Sequence, residues 1–381
     1  MTRKARIKPK AQAGSVSVDA RDLLRAIRFA MQATERRNSI AVLGTVLMAA
    51  EAGRLTVTGT NLDIDCEMGV EAECAAPFAT CIGPKALETL ARFANGTVTL
   101  SLDGDVLSIT AGEVKARFRQ LMPAEDFPVM KPEGFLNPEG ETPSALIPEA
   151  VLHKLLGDTI PCISTEETRY YLNGVYMHAK EDGLLRGVAT DGYRLALRRT
   201  DVPFRGLDGI FLAKAVKILH RALREGGNRE IRVFGPALKR VVAPTNGDWT
   251  IRMKMIDGTF PDYLRVIPTK EATIEVPLTW EQVRRLRAFA GDGFYGTARP
   301  IAFRPEAREA SVRSSDGDID VTVPLHGAHG ADFGINSRYL AEFARRHGTI
   351  RLESAGSGEP FKVLTEDPDL TLVVMPTRVL K

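Results

Sequence analysis

The chain has few cysteines, and no pattern joins them into a bridge or a metal site. It contains four cysteines in 381 residues, and none of them forms a CxxC pair or stands at a metal-ligand spacing from a histidine. Because of these absences, we expect neither a disulfide framework nor a cysteine-ligated zinc site. Free thiols are typical of the reducing cytosol, which predicts a cytoplasmic protein. The cysteines are Cys66, Cys74, Cys81 and Cys162.

Long hydrophobic runs are also absent. The longest, Ile40–Ala50, is interrupted by Gly44 and Thr45 and is shorter than the roughly 20 apolar residues that a membrane-spanning helix needs. Residues 1–14 are basic but have no apolar stretch behind them, so we expect a disordered tail and not a secretory signal. With 44% hydrophobic and 26% charged residues, the chain is typical of a soluble globular protein of two or three domains.

Motifs that carry familiar catalytic chemistry are missing as well. No P-loop, HExxH or GxSxG pattern occurs. The stretch Gly291–Gly296 matches GxGxxG in form but follows a predicted helix, whereas a dinucleotide fingerprint must follow a strand. The stretch Asp316–Asp320 begins like a calcium loop but has Val321 and Gly327 where that loop needs glycine and glutamate. We therefore predict a protein that is not an enzyme and uses no cofactor or metal. An enzyme of DNA metabolism with an unrecognised carboxylate site is the alternative.

What the chain does contain is a pattern that recurs at domain length. Three apolar-alternating strands run into a small or hydroxyl residue and then end on Asn61, Asp191 and Asp316, at spacings of 130 and 125 residues. A Phe-Pro pair at Phe127 recurs 133 residues later at Phe260. Self-similarity at this period predicts tandem copies of one domain. Chance similarity between β-strands is the alternative.

Each copy has the same order of predicted elements: an amphipathic helix, several strands, a second helix and more strands. We therefore predict an α+β protein of three domains, each with two helices packed on antiparallel sheets. The predicted domains are residues 15–133, 143–266 and 268–381, after the tail at 1–14. The predicted helices are residues 19–34, 84–95, 148–160, 212–225, 279–290 and 337–347.

The positive charge is concentrated on the predicted helices. The net charge is only +3, yet the six helices together carry +8 and the tail +5, which leaves −10 for the strands and loops. A helical projection of 212–225 places four cations opposite Val216, Leu219 and Leu223. Such faces predict sequence-independent attraction to a polyanion; ordinary solvated surfaces are the alternative. The four cations are Lys214, Lys217, Arg221 and Arg224.

Four motifs in order resemble the bacterial DNA polymerase III beta subunit family, the replicative sliding clamps: RYYLNG at Arg169–Gly174, VATDGYRLA at Val188–Ala196, DGTFPDYLRVIP at Asp257–Pro268 and VVMPTR at Val373–Arg378. The resemblance covers nearly the whole chain after residue 15. It implies three DNA-clamp domains per chain, closing as a head-to-tail ring dimer around duplex DNA. It also implies a non-catalytic processivity factor that tethers polymerase III alpha subunit, clamp loader, other polymerases and repair proteins through a hydrophobic pocket for short peptides.

The resemblance carries residue roles with it, and each is an expectation. A partner-peptide pocket is expected from residues of the second and third domains: Leu172, Thr190, Gly192, Tyr193, Arg194, Leu195, Pro261, Arg265, Val266, Pro360, Val373, Val374, Met375, Pro376, Thr377 and Arg378. DNA contacts are expected from Arg37, Lys85, Tyr170 and Tyr171, in addition to the four cations above. Glu166 falls where the family also touches DNA, but a carboxylate there would repel phosphate. Leu286 and Phe289 are expected near the dimer seam.

The chain departs from the family pattern at the pocket edge. Tyr193 stands where the family commonly has histidine, and the basic tail is additional. These departures leave open a clamp paralogue with altered partners.

Overall fold

The structure is a computed structural model that describes residues 13–35, 39–119, 121–130, 145–204, 208–235, 241–290, 299–313 and 320–378. Within these ranges the chain forms six α-helices and 25 strands. No helix in the described residues is long and apolar enough to cross a membrane. The helices are α1 Ala20–Ala30, α2 Pro84–Phe93, α3 Glu149–Thr159, α4 Ala213–Ala222, α5 Trp280–Ala290 and α6 Ser337–His347.

The strands of the first half are β1 Gly14–Asp19, β2 Val46–Glu51, β3 Arg54–Thr60, β4 Ile64–Glu71, β5 Glu73–Ala76, β6 Phe78–Ile82, β7 Thr97–Asp103, β8 Val106–Ala111, β9 Val114–Phe118, β10 Ala145–Pro148, β11 Gly174–Ala179, β12 Leu184–Thr190 and β13 Arg194–Pro203. Those of the second half are β14 Gly209–Leu212, β15 Glu230–Phe234, β16 Val241–Thr245, β17 Trp249–Ile256, β18 Ile274–Thr279, β19 Pro300–Arg304, β20 Glu309–Arg313, β21 Asp320–Pro324, β22 Phe333–Asn336, β23 Thr349–Ser354, β24 Phe361–Leu364 and β25 Leu370–Val374.

All six predicted helices are confirmed, each within a few residues of its predicted ends. Local chemistry explains where they begin. The Asp19 carboxylate accepts the Arg21 backbone N–H at 2.8 Å and so caps α1, while Pro84 occupies the first turn of α2, where its missing N–H is harmless. The helices form three successive packed pairs, α1 with α2, α3 with α4 and α5 with α6.

The chain divides into two compact units. Unit 1 comprises the described residues up to Ile147 together with Arg229–Lys254. One of its sheets has the order β5-β1-β7-β8-β9, and another runs β6-β2-β3-β4 and continues into the Trp249–Met253 part of β17. Helix α1 packs on β3 and β4. A Cβ on Gly59 of β3 would lie 2.1 Å from the Ala30 carbonyl oxygen, so glycine is required for this close approach.

Unit 2 comprises the described residues of Pro148–Asn228 and of Met255–Lys381. Its larger sheet runs β18-β23-β24-β25-β13-β12-β11-β14, and a smaller sheet runs β21-β20-β19-β22. The β13–β25 ladder joins segments that lie about 180 residues apart in sequence, since Leu195 faces Val373 and Arg194 faces Val374. The structure divides the chain into two compact units and not into three. The borders of the three predicted domains therefore stay a prediction.

The recurring strand ends have the same local structure where the structure describes them. After Thr60, the Asn61 side-chain oxygen accepts the backbone N–H groups of residues 63 and 64. The Asp191 carboxylate does the same for residues 193 and 194. A further copy of this turn, missed in the sequence, occurs at Asn246. The third predicted copy, at Asp316, lies outside the described residues.

Candidate functional site

An apolar cluster in unit 2 collects residues from six segments of the chain, four of which matter most for the predicted pocket. Leu172 comes from the 3₁₀ segment Glu167–Leu172, Leu195 from β13, Val373 from β25, and Phe260 and Tyr263 follow β17. The β13–β25 ladder places Leu195 and Val373 directly opposite each other. Three residues of the predicted pocket, Leu172, Leu195 and Val373, are thereby brought together. The complete apolar cluster is Leu172, Val188, Leu195, Leu197, Ile210, Phe260, Tyr263 and Val373, with Tyr171, Tyr176, Ile256 and Ile267 packed against it.

The Thr190–Arg194 turn borders this cluster and is held by its own hydrogen bonds. The Thr190 hydroxyl donates to the Arg194 carbonyl at 2.7 Å and accepts the Gly192 N–H at 3.1 Å. The Asp191 carboxylate accepts the N–H groups of Tyr193 and Arg194, each at 3.0 Å. Gly192 has φ +88°, a conformation that favours glycine. The predicted pocket edge is therefore a defined turn with an exposed Tyr193 ring.

Arg194 is buried and paired with two carboxylates. Its guanidinium donates to Asp191 at 3.0 Å and to Glu342, on α6, at 2.6 Å. Burial alone would lower the pKa of this guanidinium, but Cys162 and the carboxylates of Glu342 and Asp191 together raise the pKa above its ordinary value. Arg194 therefore supports the turn and has little surface for a partner.

The segment after β17 supplies an exposed apolar rim. Tyr263–Val266 forms a 3₁₀ turn in which Tyr263 is buried and Val266 is 43% exposed. Pro261 and Arg265 are exposed, and Arg265 pairs with Asp262 at 3.0 Å. Val266 is thus next to Ile267, which packs against the apolar cluster, and still presents apolar surface to solvent.

The C-terminal motif divides between two features. Val373 and Val374 are buried in β25, and the Met375 N–H donates to the Tyr193 carbonyl at 2.8 Å. The residues after Met375 instead line a cavity of about 1360 Å³ on the smaller sheet of unit 2, next to Phe303. None of the described residues of the apolar cluster lines this cavity. The assignment of Pro376, Thr377 and Arg378 to the partner-peptide pocket stays a prediction. Pro360 is half-buried, and its carbonyl accepts the Ser354 hydroxyl at 3.1 Å.

Helix α4 presents the predicted cationic face. Its four cations, Lys214, Lys217, Arg221 and the nearby Arg224, are exposed, whereas Val216, Leu219 and Leu223 are buried. Lys214 and Lys217 form no ion pair within the described part of the chain. Lys85 on α2 is also exposed. Arg37 lies outside the described residues.

Other predicted basic helices carry internal counter-charges. Arg28 on α1 donates to Glu88 on α2 at 2.9 Å. On α5, Arg284 and Arg285 both pair with Glu281, at 2.9 and 2.8 Å. Because exposed pairs of this kind partly cancel their own field, α4 is the more strongly cationic surface.

The two adjacent tyrosines have different environments. The Tyr170 ring is exposed and meets the Tyr171 ring edge-on at 5.9 Å, whereas Tyr171 packs against the apolar cluster. Arg169, just before them, donates two hydrogen bonds to Glu166, at 2.8 and 2.6 Å. These bonds lower the pKa of Glu166. The Glu166 charge is therefore paired within the chain, and Tyr170 has the larger surface for a ligand.

The two residues expected near a dimer seam differ in exposure. Leu286 is fully buried in its own chain, whereas Phe289 is 42% exposed. Burial in its own chain does not exclude a place near the dimer seam, so the assignment of Leu286 stays a prediction. Phe289 stays a prediction.

Two residues that the sequence did not single out, Tyr339 and Glu342 on α6, contact the Thr190–Arg194 turn. No local pattern could have indicated them, since about 148 residues separate Glu342 from Arg194.

Comparison with known proteins places these features in context. A model of the DNA polymerase III beta subunit N-terminal domain matches residues 15–131, and a model of its central domain matches residues 146–262. The chain is 30% identical over 385 residues to the beta sliding clamp of Caulobacter vibrioides, covering 96% of this chain and 100% of that protein. It is 28% identical to the Pseudomonas aeruginosa beta sliding clamp, with 94% and 98% covered.

Solved structures show the same similarity. A DnaN sliding clamp, DNA polymerase III subunit beta, from Bartonella birtlesii bound to griselimycin superposes with a TM-score of 0.84 at 26% identity, covering 97% of this chain and 100% of that one. Caulobacter crescentus pol III beta gives a TM-score of 0.81 at 30% identity, with 96% and 100% covered. The similarity thus extends over nearly the whole length of the chain.

Proposed function

Because the chain belongs to the bacterial DNA polymerase III beta subunit family, the beta sliding clamps, we propose that the rim of its apolar cluster is the site where replication proteins dock by short peptides. A sliding clamp is a processivity factor: it encircles duplex DNA and tethers a polymerase to it. The docking partners that follow from this role are the polymerase III alpha subunit, the clamp loader, and other polymerases and repair proteins.

The observation that carries the docking site is the convergence of Leu172, Leu195 and Val373 in one apolar cluster. The exposed Val266 and Tyr193 lie in segments that adjoin it. An apolar groove with a rigid polar edge is suited to an extended peptide, because buried apolar anchors supply affinity and the edge fixes orientation. The hydrogen-bonded Thr190–Arg194 turn supplies such an edge.

DNA contact is proposed for the cationic face of α4. Lys214, Lys217, Arg221 and Arg224 point away from the helix's buried side, and Lys85 and Tyr170 are exposed on other elements. Lysine and arginine neutralise phosphates without reading base edges. A surface of this kind holds DNA electrostatically and still permits sliding.

The ring is proposed to close through open sheet edges. Among the described strands, the edges β6, β18 and β22 are each covered by an isolated bridge, Cys81 with Met122, Glu275 with His329 and Ile335 with Pro376. Within the described residues no such bridge covers β5, β9 or β21, and of these β9 and β21 are the longer strands, with five residues each. An uncovered edge is a template for pairing with another chain. We propose that β9 of one chain pairs with β21 of a second, and that 15–133, 143–266 and 268–381 are the three clamp domains.

The proposed role involves tethering and no catalysis, and it places the protein in the bacterial cytoplasm with the replication machinery.

A charge placed on the rim tests the docking site. We expect Val266→Glu to weaken binding of a fluorescent peptide from the C-terminus of the polymerase alpha subunit by about tenfold or more, because apolar anchors dominate such sites. Ile40→Glu is the matched control, since Ile40 is 49% exposed and belongs to unit 1. Equal affinity in the two variants, measured by fluorescence anisotropy, would contradict the proposed site.

A further inference from the structure

Helix α6 extends two side chains to the Thr190–Arg194 turn. Tyr339 and Glu342 are three residues apart, so they lie on the same face of the helix. The Glu342 carboxylate accepts a hydrogen bond from the Arg194 guanidinium at 2.6 Å. The Tyr339 ring lies under the same guanidinium, with the central carbon 4.5 Å from the ring centroid. A single cation from β13 is therefore held by a carboxylate and an aromatic face of α6.

Arg194 needs this support because it is buried. A buried cation is stable only when its charge and its N–H groups are fully paired. Asp191, in the same turn, supplies one carboxylate at 3.0 Å, and Glu342 supplies the second at 2.6 Å. The guanidinium is thereby fixed from both sides and holds the start of β13 against α6.

The Tyr339 ring is also in contact with the exposed edge of the turn. The rings of Tyr193 and Tyr339 lie at 6.4 Å between centroids and 22° between planes. Tyr339 is thus in contact with both Arg194 and Tyr193, and Tyr193 is 52% exposed. The Tyr193 carbonyl accepts the Met375 N–H, so the stacked residue also touches the strand end that follows Val373 and Val374.

We propose that Tyr339 and Glu342 are positioning residues of the peptide-docking site: they act through Tyr193 and Arg194 to hold the Thr190–Arg194 turn and its exposed ring in the conformation that receives a peptide. This inference rests on the proposed function of the apolar cluster. Helix α6 then determines the conformation of one side of the docking site, the Thr190–Arg194 turn, although this turn connects β12 and β13.

The backbone of the turn does not depend on α6. Its hydrogen bonds are made by Thr190 and Asp191 within the turn itself. Loss of the Tyr339 ring should therefore leave the turn folded and free only the Tyr193 ring and the Arg194 side chain. We therefore expect loss of the Tyr339 ring to lower peptide affinity more than it lowers global stability.

The test measures peptide affinity in a set of α6 variants. Aromatic stacking at this strength corresponds to about two- to tenfold in affinity. We expect Tyr339→Leu and Glu342→Gln to weaken binding of the alpha-subunit peptide by that factor. Tyr339→Phe, which keeps the ring, should bind within about twofold of the wild type. Arg345→Leu is the control, because Arg345 is exposed on the same helix.

A double-mutant cycle separates positioning from general damage. If Tyr339 acts through Tyr193, then Tyr193→Ala and the double variant Tyr193→Ala/Tyr339→Leu should bind with the same affinity. The inference would be overturned if the fold losses of peptide affinity in the two single variants multiplied in the double variant. It would also be overturned if Tyr339→Leu bound the peptide with wild-type affinity. Unfolding midpoints measured alongside identify any variant that fails to fold, and Tyr339→Phe and Glu342→Gln keep the test decisive in that case.

The controls also separate this inference from the proposed function. If the wild type binds the peptide and Val266→Glu weakens it while the α6 variants do not, the docking site stands and only the positioning role is rejected. If the wild type does not bind the peptide, the docking site is rejected and the positioning role with it.

Discussion

At the scale of single residues, we expect His220 to contribute to the pH dependence of the stability of unit 2. Its ring stacks on His153 with centroids 4.3 Å apart, and its Nε2 atom is buried without a hydrogen-bond partner in the described residues. Burial lowers the pKa of His220, and the nearby His153, Arg346 and Arg221 lower it further, while Asp158 opposes them. The Arg346 guanidinium and the His220 Nε2 atom both approach the Gly157 position of α3.

The sign of the pH effect follows from this lowered pKa. The unfolded chain binds a proton near the ordinary value of 6.5, and the folded chain binds it only at lower pH. The stabilisation by neutral His220 is therefore complete above about pH 6.5 and is lost as pH falls through the folded-state pKa. A tenfold difference in proton affinity is worth about 1.4 kcal/mol.

We expect the unfolding temperature of the wild type to fall between pH 7.5 and pH 5.5 by more than that of His220→Phe. Phenylalanine keeps a ring against His153 and cannot titrate. The lowered pKa values of His178 and His347 act in both proteins, so the difference reports on His220. Parallel pH profiles in a thermal-unfolding series would contradict this assignment.

At the scale of elements, α4 carries a cationic face that is less cancelled by paired carboxylates than the faces of α1 and α5. Lys214 and Lys217 are exposed and have no ion pair within the described ranges, whereas arginines on α1 and α5 pair with Glu88 and Glu281. The same helix buries Val216 and Leu219. An amphipathic helix with one cationic face can therefore pack in its domain and bind phosphates at the same time.

We expect Lys214→Ala/Lys217→Ala to reduce the salt dependence of binding to primed duplex DNA. Each lost phosphate contact lowers the slope of log affinity against log salt by about 0.9, so a decrease of about one or more is expected. The control is Lys254→Ala/Lys270→Ala, which removes the same charge from lysines paired with Asp63 and Glu359. The same slope in both double variants would argue against α4 as the DNA-facing surface.

At the scale of the whole molecule, the assembly proposed above places the edges of β9 and β21 at the seam between two chains. The residues of β9 include the exposed cations Lys115 and Arg117. Asp320, the first residue of β21, is exposed and pairs with Arg313 of β20 at 3.1 Å. The cations of β9 and the carboxylate of β21 have opposite charge, which favours pairing of these two edges over pairing of two β9 edges.

We expect the wild type to have the native mass of a dimer and Lys115→Glu/Arg117→Glu to shift toward the monomer at micromolar concentration. Lys254→Glu/Lys270→Glu, with the same change of net charge, should stay dimeric. Native mass spectrometry or sedimentation velocity measures both. A dimeric β9 variant would show that this edge does not form the seam.

Much of the fold and part of the site could be predicted because the controlling interactions are local. Apolar periodicity and capping residues predict the ends of each of the six helices to within a few residues. An Asx turn such as that at Asp191 involves only four residues. The cationic face of α4 follows from the 3.6-residue period alone. The family motifs, with the local turns inside them, therefore indicated the sliding clamp before any tertiary contact was known.

The tertiary structure decided which distant residues meet and which side of an element is covered. The Arg194–Glu342 pair and the burial of Leu286 both depend on strand register and helix packing. The Glu166 charge is paired with Arg169 through a kinked 3₁₀ segment that no periodicity describes. The sequence alone determined the elements, the turns and the family, because neighbouring residues specify them. The composition of the site required the fold, because a β-ladder brings together residues whose separation along the chain carries no local signal.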